Sequence, residues 1–443
     1  MSSPETAEQT VRRDPLLDDL APGLPTSERP AREIPVPIGT YRDMRVAPLT
    51  ERRPRVPRGR DTFLPFSPPS VGQEEIDEVV DTLRSDWLTT GPKTKRFEIA
   101  FAEYLGAPGA LALNSCTAGL HTALATARVG EGDEVITTPM TFAASVNVIE
   151  HVRARPVLVD IEPDTMNIDP CRVAAAITQK TRAIIAVHFA GHPVEMDAIR
   201  EVARAHKLLL IEDAAHALPA KYKGRPIGSW DNPAAFSFYA TKNLTTAEGG
   251  MLTASESFLE EARPVSLHGM TRDALTRYAK GGKWRYEVMT PGFKYNMTDI
   301  QAAMGLCQLR KLERFQQRRR EVVAKYNAAF KGVEALEVPT ERPEVEHAWH
   351  LYVLRLRPSM LRIDRDRFID ELSERNIGTS VHFIPVHLHP YYRDKYRWLP
   401  SAFPKALREF ERIISLPLHP RLTDIDIEDV TTAVLDVVGA NLR

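Results

Sequence analysis

Short apolar runs alternate along this chain with longer segments of helical periodicity. Short segments with apolar centres, typical of buried strands, occupy residues 110–113, 133–138, 156–160, 181–188 and 208–211, of which 208–211 is a continuous apolar run of the parallel-strand type. Between them, apolar positions recur at the helical spacing, as in residues 144–150 and 196–207. Strands that alternate in this way with helices predict an α/β fold with a mostly parallel sheet.

Two of the predicted strands lead into side chains that suit chemistry. The run 208–211 is followed by Glu212, Asp213 and small residues, and a later apolar stretch from Phe236 leads to Lys242 and then to a Glu-Gly-Gly sequence. In an open α/β sheet, ligands bind at the carboxyl ends of the strands. We therefore expect Asp213 and Lys242 to meet at one edge of the sheet, although a single lysine after a strand is more often merely solvated.

A third motif resembles a phosphate cradle. Residues 113–123 read LNSCTAGLHTA, in which small and hydroxyl residues precede a helical pattern. Free N–H groups at a helix N-terminus favour a phosphate. An ordinary Ser or Thr cap would give the same local sequence. The cradle, Asp213 and Lys242, in that order and each on its own βα unit, together predict pyridoxal phosphate, which requires an attachment lysine and an acid beside its ring nitrogen.

The motifs NSCTAG, EDAAHA, SFYATKNLTTAEGG and PGFKYNMTDIQAA resemble those of the DegT/DnrJ/EryC1/StrS sugar aminotransferases. The resemblance begins near Phe63, and within the family it is strongest to the UDP-4-amino-4-deoxy-L-arabinose–oxoglutarate aminotransferases. It implies the aspartate-aminotransferase-like fold of pyridoxal-phosphate enzymes (fold type I). We expect a large cofactor-binding domain (residues 61–319) with a mostly parallel seven-stranded sheet, and a smaller C-terminal α/β domain (residues 320–443). The proline- and arginine-rich residues 1–60 are expected to form a flexible tail.

The resemblance also implies roles for individual residues. Lys242 would be the catalytic and attachment residue. Its other implied cofactor contacts are Thr117 and Ala118 at the phosphate, Phe142 stacked on the ring, Asp213 at the ring nitrogen, His216 near the phenolic oxygen, Ser237 at the phosphate and Asn296 at the phosphate of a neighbouring subunit. The implied sugar-nucleotide pocket includes Thr90, His382, His387 and Tyr391.

Several of these residues also have purely structural interpretations. Phe142 could be core packing, Ser237 could bond locally to the backbone, and Asn296 could belong to a plain turn before a helix capped by Thr298 or by Asn296 itself. His188, at the end of the run 181–188, faces the cofactor region by position but could equally be a satisfied structural histidine.

The implied activity transfers the amino group of L-glutamate to a nucleotide-linked keto sugar, most simply a UDP-4-keto sugar, and releases 2-oxoglutarate. A homodimer with shared active sites is also implied. One alternative is a related sugar dehydratase, in which a histidine replaces the lysine, whereas Lys242 is present here. Another is a cofactor-binding regulatory or scaffold protein with the tail as its docking arm.

Composition removes several classes of function. The 443 residues carry 58 basic and 59 acidic side chains, a net charge of −1 that does not favour nucleic acid or an anionic membrane. The three cysteines have no paired spacing, which indicates neither a disulfide framework nor a zinc site and fits the cytoplasm. No apolar run has the length of a membrane span. Although His382, His387 and His389 lie close in sequence, no acidic cluster accompanies them, so no metal is expected.

Overall fold

The computed structural model describes residues 60–270 and 286–443. The predicted tail therefore lies outside the described residues, apart from Arg60, which pairs with Asp426 and Asp429 near the C-terminus. Leu64 forms a parallel bridge with Ile377, so the start of the described chain packs against its C-terminal part.

A seven-stranded sheet organises the larger part of the chain. Its strands are β1 (Ala110–Leu113), β2 (Glu134–Thr137), β3 (Arg155–Leu158), β4 (Thr181–Val187), β5 (Leu209–Asp213), β8 (Ala234–Ser237) and β9 (Gly250–Thr253), and the hairpin strands β6 (Lys221–Tyr222) and β7 (Arg225–Pro226) lie outside it. The order is β1-β9-β8-β5-β4-β2-β3, and only β9 runs antiparallel to its neighbours. The predicted mostly parallel seven-stranded sheet is confirmed.

Helices cover both faces of this sheet, as the near-continuous burial of its strands requires. The helices that pack on it are α2 (Pro92–Leu105), α3 (Cys116–Thr126), α4 (Ala144–His151), α5 (Pro170–Ala176), α6 (Met196–Ala205) and α7 (Glu256–Ser266), whereas α1 (Gln73–Arg84) packs on the long helix Asp299–Phe330. Helix α3 packs against β8 and β9, which places its N-terminus at the carboxyl end of the parallel strands.

The long helix α8 (Asp299–Phe330) contributes side chains both to the core beside the seven-stranded sheet and to the core of the C-terminal part. Its capping residue is Thr298, which accepts from Gln301 N–H in a reciprocal capping box. Leu306 packs in the core of the seven-stranded sheet, whereas Tyr326 packs in the C-terminal core. Position 320, the expected domain boundary, therefore lies inside a continuous helix.

The C-terminal part is built on a three-stranded antiparallel sheet in the order β10-β12-β13. Its elements are β10 (Leu336–Glu337), β11 (Val345–Glu346, paired with β6), β12 (Tyr352–Leu356), α9 (Arg365–Glu374), α10 (Pro390–Tyr396), α11 (Pro404–Phe410), β13 (Ile413–Leu416) and α12 (Asp424–Asn441). Within residues 60–270 and 286–443, no helix has the length and apolar character needed to cross a bilayer.

Candidate active site

A cavity of about 1250 Å³, counted to include the part open to solvent, lies at the carboxyl ends of β4, β5 and β8. It brings together Lys242, Asp213, the first turn of α3 and the loop that follows β2. Its lining includes the residues Cys116, Thr117, Thr141, Phe142, Asp213, His216, Ser237, Lys242, Glu248, His350, His382 and Phe383.

Lys242 reaches this cavity from the turn that follows β8. Its backbone N–H donates to the Tyr239 carbonyl at 2.9 Å, which fixes the turn. Burial lowers the pKa of the Lys242 amine to about 8, while the neighbouring Cys116 and Asp213 act in the opposite direction. A sizeable fraction of this amine is therefore neutral near pH 8, the form required of a nucleophile or a base.

Asp213 is the last residue of β5 and is only 5% exposed. Its Oδ2 accepts from the Ser145 hydroxyl at 2.6 Å, and its Oδ1 accepts from the Ala215 N–H at 3.2 Å. The thiol of Cys116 lies 3.8 Å from Oδ1. Both oxygens of the Asp213 carboxylate therefore have a hydrogen-bond donor.

The N-terminus of α3 faces the same cavity. Ser115 caps the helix by accepting from Ala118 N–H at 3.0 Å, so the cap interpretation of this motif is correct for Ser115. The N–H groups of Cys116 and Thr117 belong to the first turn, where a helix provides no carbonyl acceptor of its own. Together with the hydroxyls of Thr117 and Ser237 in the cavity lining, they form a donor-rich end suited to a dianion.

An aromatic wall closes another side of the cavity. Phe142 is 65% exposed, so it is not a core residue, and its ring centroid lies 6.1 Å from that of Phe383. The His216 ring lies 4.3 Å from His350 and 5.7 Å from Phe383. Burial lowers the pKa of His216 well below its ordinary value, and that of His382 to about 4. These imidazoles are therefore neutral at physiological pH.

Some sequence-predicted residues lie elsewhere. Ala118 uses its N–H in the helix cap, and Tyr391 is 57% exposed on helix α10. His387 is fully buried, with Nε2 3.2 Å from the Pro400 carbonyl. Asn296 Nδ2 donates to Thr90 Oγ1 at 2.7 Å, and neither side chain lines the cavity of its own chain.

His188 is the structural histidine of the two alternatives considered. Its Nε2 lies 3.0 Å from Glu212 Oε2, and its Nδ1 accepts from Val194 N–H at 3.1 Å. Both side chains are fully buried. Asn232 donates to the other oxygen of Glu212 at 2.8 Å, so this network braces β5 just before Asp213.

Sequence reasoning missed several residues at the site, namely Cys116, Thr141, Ser145, Glu248 and His350. Thr141 and Ser145 follow β2 within the sequence TPMTFAAS, so the same argument about carboxyl ends of strands that selected Asp213 could have selected them. His350 lies in the loop before β12, where its Nδ1 is 3.2 Å from Asn243 Oδ1. The spacing of apolar residues in the sequence does not indicate that this loop lies beside Lys242.

Pyridoxal phosphate fits the residues present. The first turn of α3 offers donors to a phosphate, and Asp213 offers an anionic acceptor to a protonated ring nitrogen. The buried Nδ1 of His216 has no hydrogen-bond partner among the described residues, so a polar group in the cavity would satisfy it. Within the part of the chain that is described, no cluster of His, Cys, Asp or Glu is arranged to hold a metal ion.

Comparison with known proteins gives a consistent result. The sequence pattern of the DegT/DnrJ/EryC1/StrS aminotransferase family matches residues 69–435. The chain is 52% identical over 383 residues to the uncharacterized protein MJ1066 of Methanocaldococcus jannaschii, a match covering 86% of this chain and 99% of that protein. It is 49% identical over 381 residues to the spore coat polysaccharide biosynthesis protein SpsC of Bacillus subtilis, covering 86% of this chain and 98% of SpsC.

Among solved structures, Spr1654 of Streptococcus pneumoniae, assigned as a sugar aminotransferase, superposes with a TM-score of 0.81 at 39% identity. The match covers 85% of this chain and 99% of Spr1654. Spr1654 has been solved in PLP and PMP forms, which supports the cofactor inferred from the cavity. The chain therefore belongs to the DegT/DnrJ/EryC1/StrS aminotransferase family and is a pyridoxal-phosphate-dependent aminotransferase.

Proposed function

We propose that this enzyme transfers the amino group of L-glutamate to a nucleotide-linked keto sugar, with a UDP-4-keto sugar as the acceptor. The observation that carries the proposal is the placement of Lys242, Asp213 and the N-terminus of α3 around one cavity. The names of SpsC and Spr1654, which refer to polysaccharide biosynthesis and to sugar amination, support a sugar acceptor.

The cavity carries open aromatic surface that suits a large second substrate. The exposed faces of Phe142 and Tyr239 at its mouth offer flat surfaces for a sugar or a base.

In the proposed mechanism, bound pyridoxal phosphate supplies an aldehyde that accepts the amino group and a protonated ring that withdraws electrons. The Cys116 and Thr117 N–H groups and the hydroxyls of Thr117 and Ser237 would hold the phosphate. Asp213 would accept the hydrogen bond of the ring N–H. Phe142 would orient the ring by stacking.

Lys242 has two tasks in this proposal. Its neutral amine is the group that would hold the cofactor through its aldehyde. When free, its Nζ would take the proton of the donor α-carbon, hold it as an ammonium and deliver it to the cofactor carbon that receives the amino group. The pKa of about 8 suits both directions of that transfer at neutral pH. His216, whose pKa is lowered by burial, stays neutral and offers its unpartnered Nδ1 to a polar group of the cofactor.

The proposal includes a homodimer with shared active sites. Asn296 and Thr90 bond to each other at the margin of the sheet, where Asn296 also forms a backbone bridge with Leu113. The nearby apolar side chains of Trp87 and Leu88 are 41% and 45% exposed. In a dimer these would be covered, and Asn296 would reach the phosphate of the other subunit. We further propose that the enzyme acts in the cytoplasm, which its three free cysteines fit.

The test is amino-group transfer from ¹⁵N-labelled L-glutamate to a panel of keto-sugar nucleotides, followed by mass spectrometry. The expected result is a labelled amino sugar with UDP-4-keto sugars and little label with the dTDP-linked or non-nucleotide counterparts. Labelling of a free keto sugar at an equal kcat/KM would contradict the nucleotide part of the proposal. Labelling of dTDP sugars alone would contradict the choice of uridine.

A further inference from the structure

The Asp213 carboxylate is held from two different helices. On α4, the fully buried Ser145 places its hydroxyl 2.6 Å from Oδ2. On α3, Cys116 places its thiol 3.8 Å from Oδ1 and 3.3 Å from the Ala235 carbonyl. The remaining contact, from Ala215 N–H to Oδ1, comes from the chain just after β5.

The directions of these hydrogen bonds follow from chemistry. An ionised carboxylate only accepts, so the single hydroxyl proton of Ser145 points to Asp213. Thr141 Oγ1 lies 2.7 Å from Ser145 Oγ, and with the Ser145 proton already used, Thr141 must be the donor in that pair. The result is a buried chain that runs from the Thr141 hydroxyl through the Ser145 hydroxyl to the Asp213 carboxylate, with each donor aligned toward the charge.

The thiol of Cys116 contributes in a weaker way. Burial raises its pKa well above the ordinary value, and the charge of Asp213 adds to that effect, so Cys116 stays a neutral thiol. Its one S–H proton is shared between two acceptors, and S–H is a weak donor. Most of the hydrogen bonding from side chains to Asp213 therefore comes from Ser145.

We propose that Ser145, supported by Thr141, is a positioning residue that holds the Asp213 carboxylate aimed into the cavity, and so sets how firmly the enzyme keeps a proton on the cofactor ring nitrogen. This inference rests on the proposed role of Asp213 at that nitrogen. A hydrogen bond to a charged group is among the stronger ones in proteins. Loss of the Ser145 hydroxyl leaves Oδ2 without its side-chain donor, and a carboxylate that is held less firmly is a poorer partner for a ring N–H.

The first experiment compares Ser145→Ala and Ser145→Thr with the unaltered enzyme by titrating the cofactor-free protein with pyridoxal phosphate. Ser145→Ala is expected to raise the Kd about 10-fold, the size of one charge-assisted hydrogen bond, and Ser145→Thr to restore it. Thr137→Val is the matched control: it removes a buried hydroxyl that bonds the Ile185 carbonyl at 2.9 Å and does not contact Asp213. It should lower the Tm and leave the Kd unchanged.

The second readout reports the ring nitrogen itself. With ¹⁵N-ring-labelled pyridoxal phosphate bound, the unaltered enzyme should show the chemical shift of a protonated nitrogen, and Ser145→Ala a shift toward the unprotonated value. If the unaltered enzyme shows an unprotonated nitrogen, the proposed role of Asp213 fails. If the unaltered enzyme shows a protonated nitrogen and Ser145→Ala has the same Kd and the same chemical shift, the role of Asp213 stands and the role of Ser145 is overturned.

A second variant keeps the test decisive if Ser145→Ala does not fold. Thr141→Val removes the donor behind Ser145 but leaves the Ser145 hydroxyl in place. A smaller change of the same sign in Kd and in ¹⁵N shift is expected. No change in either quantity, or a change equal to that of Thr137→Val, would contradict the proposal.

Discussion

Gly250 of β9 lies directly against the backbone of Ser115, the residue that caps α3: a Cβ built on Gly250 would come 2.4 Å from the Ser115 carbonyl carbon and 2.6 Å from Cys116 N. Gly250 pairs with Leu113 across the β1–β9 ladder, so the approach is fixed by the sheet. The first turn of α3 therefore keeps its place only while position 250 carries no side chain.

The first prediction concerns that contact. Gly250→Ala should displace the first turn of α3, lower the free energy of unfolding by about 1–3 kcal/mol, as overpacking does, and weaken pyridoxal phosphate binding. Gly439→Ala is the matched control, because a Cβ on Gly439 in helix α12 meets no atom within 4 Å. Denaturant unfolding and cofactor titration of both variants measure the two effects. Unchanged cofactor affinity in Gly250→Ala would contradict the assignment of this turn as the phosphate site.

The second prediction is a pH dependence of cofactor uptake. The pKa of Lys242 is lowered to about 8, and only the neutral amine attacks an aldehyde. The neutral fraction is about a hundredth at pH 6, a tenth at pH 7 and a half at pH 8, so the rate of uptake by the cofactor-free enzyme should rise with pH and level off above about pH 9. The pKa of His382 is about 4, so that side chain does not titrate in this window. A rate that is flat or falls between pH 6 and 8 would contradict the assignment of Lys242.

The third prediction tests the shared active site. Asn296→Asp should place a negative charge against the phosphate of the other subunit, and Lys242→Ala should remove the attachment residue, so each homodimer alone should be nearly inactive. Refolding an equal mixture should recover about a quarter of full activity, because half of the dimers are mixed and each has one intact site. Activity no greater than that of the separate variants would show that Asn296 serves its own subunit or no site.

The sequence was sufficient for the parts of the site that lie at strand ends. Asp213 and Lys242 were predicted because apolar runs that end in polar residues identify one edge of a parallel sheet. The helix cap at Thr298 and the parallel order of the main sheet follow from similarly local patterns. The apolar run at 208–211 predicts a strand that ends before Glu212 and Asp213, whereas β5 includes both as its last residues.

The contacts between elements could not be predicted in the same way. The Ser145–Asp213 bond joins residues 68 positions apart on different βα units, and His350 comes to the cavity from the loop before β12. Periodicity reports which face of an element is buried but not which neighbour it meets. For the same reason His387, chosen from a histidine-rich loop, proves to be fully buried with its Nε2 on the Pro400 carbonyl.

The most direct test of the central claim is the visible absorption spectrum of the purified enzyme with pyridoxal phosphate, before and after L-glutamate is added. The absorption band of the bound aldehyde should bleach as pyridoxamine phosphate forms, and 2-oxoglutarate should restore it. In Lys242→Ala the same conversion should be slower by at least about 10²-fold, the usual share of general acid–base catalysis. A band that does not respond to L-glutamate, or a Lys242→Ala variant that converts it at the rate of the unaltered enzyme, would contradict the account.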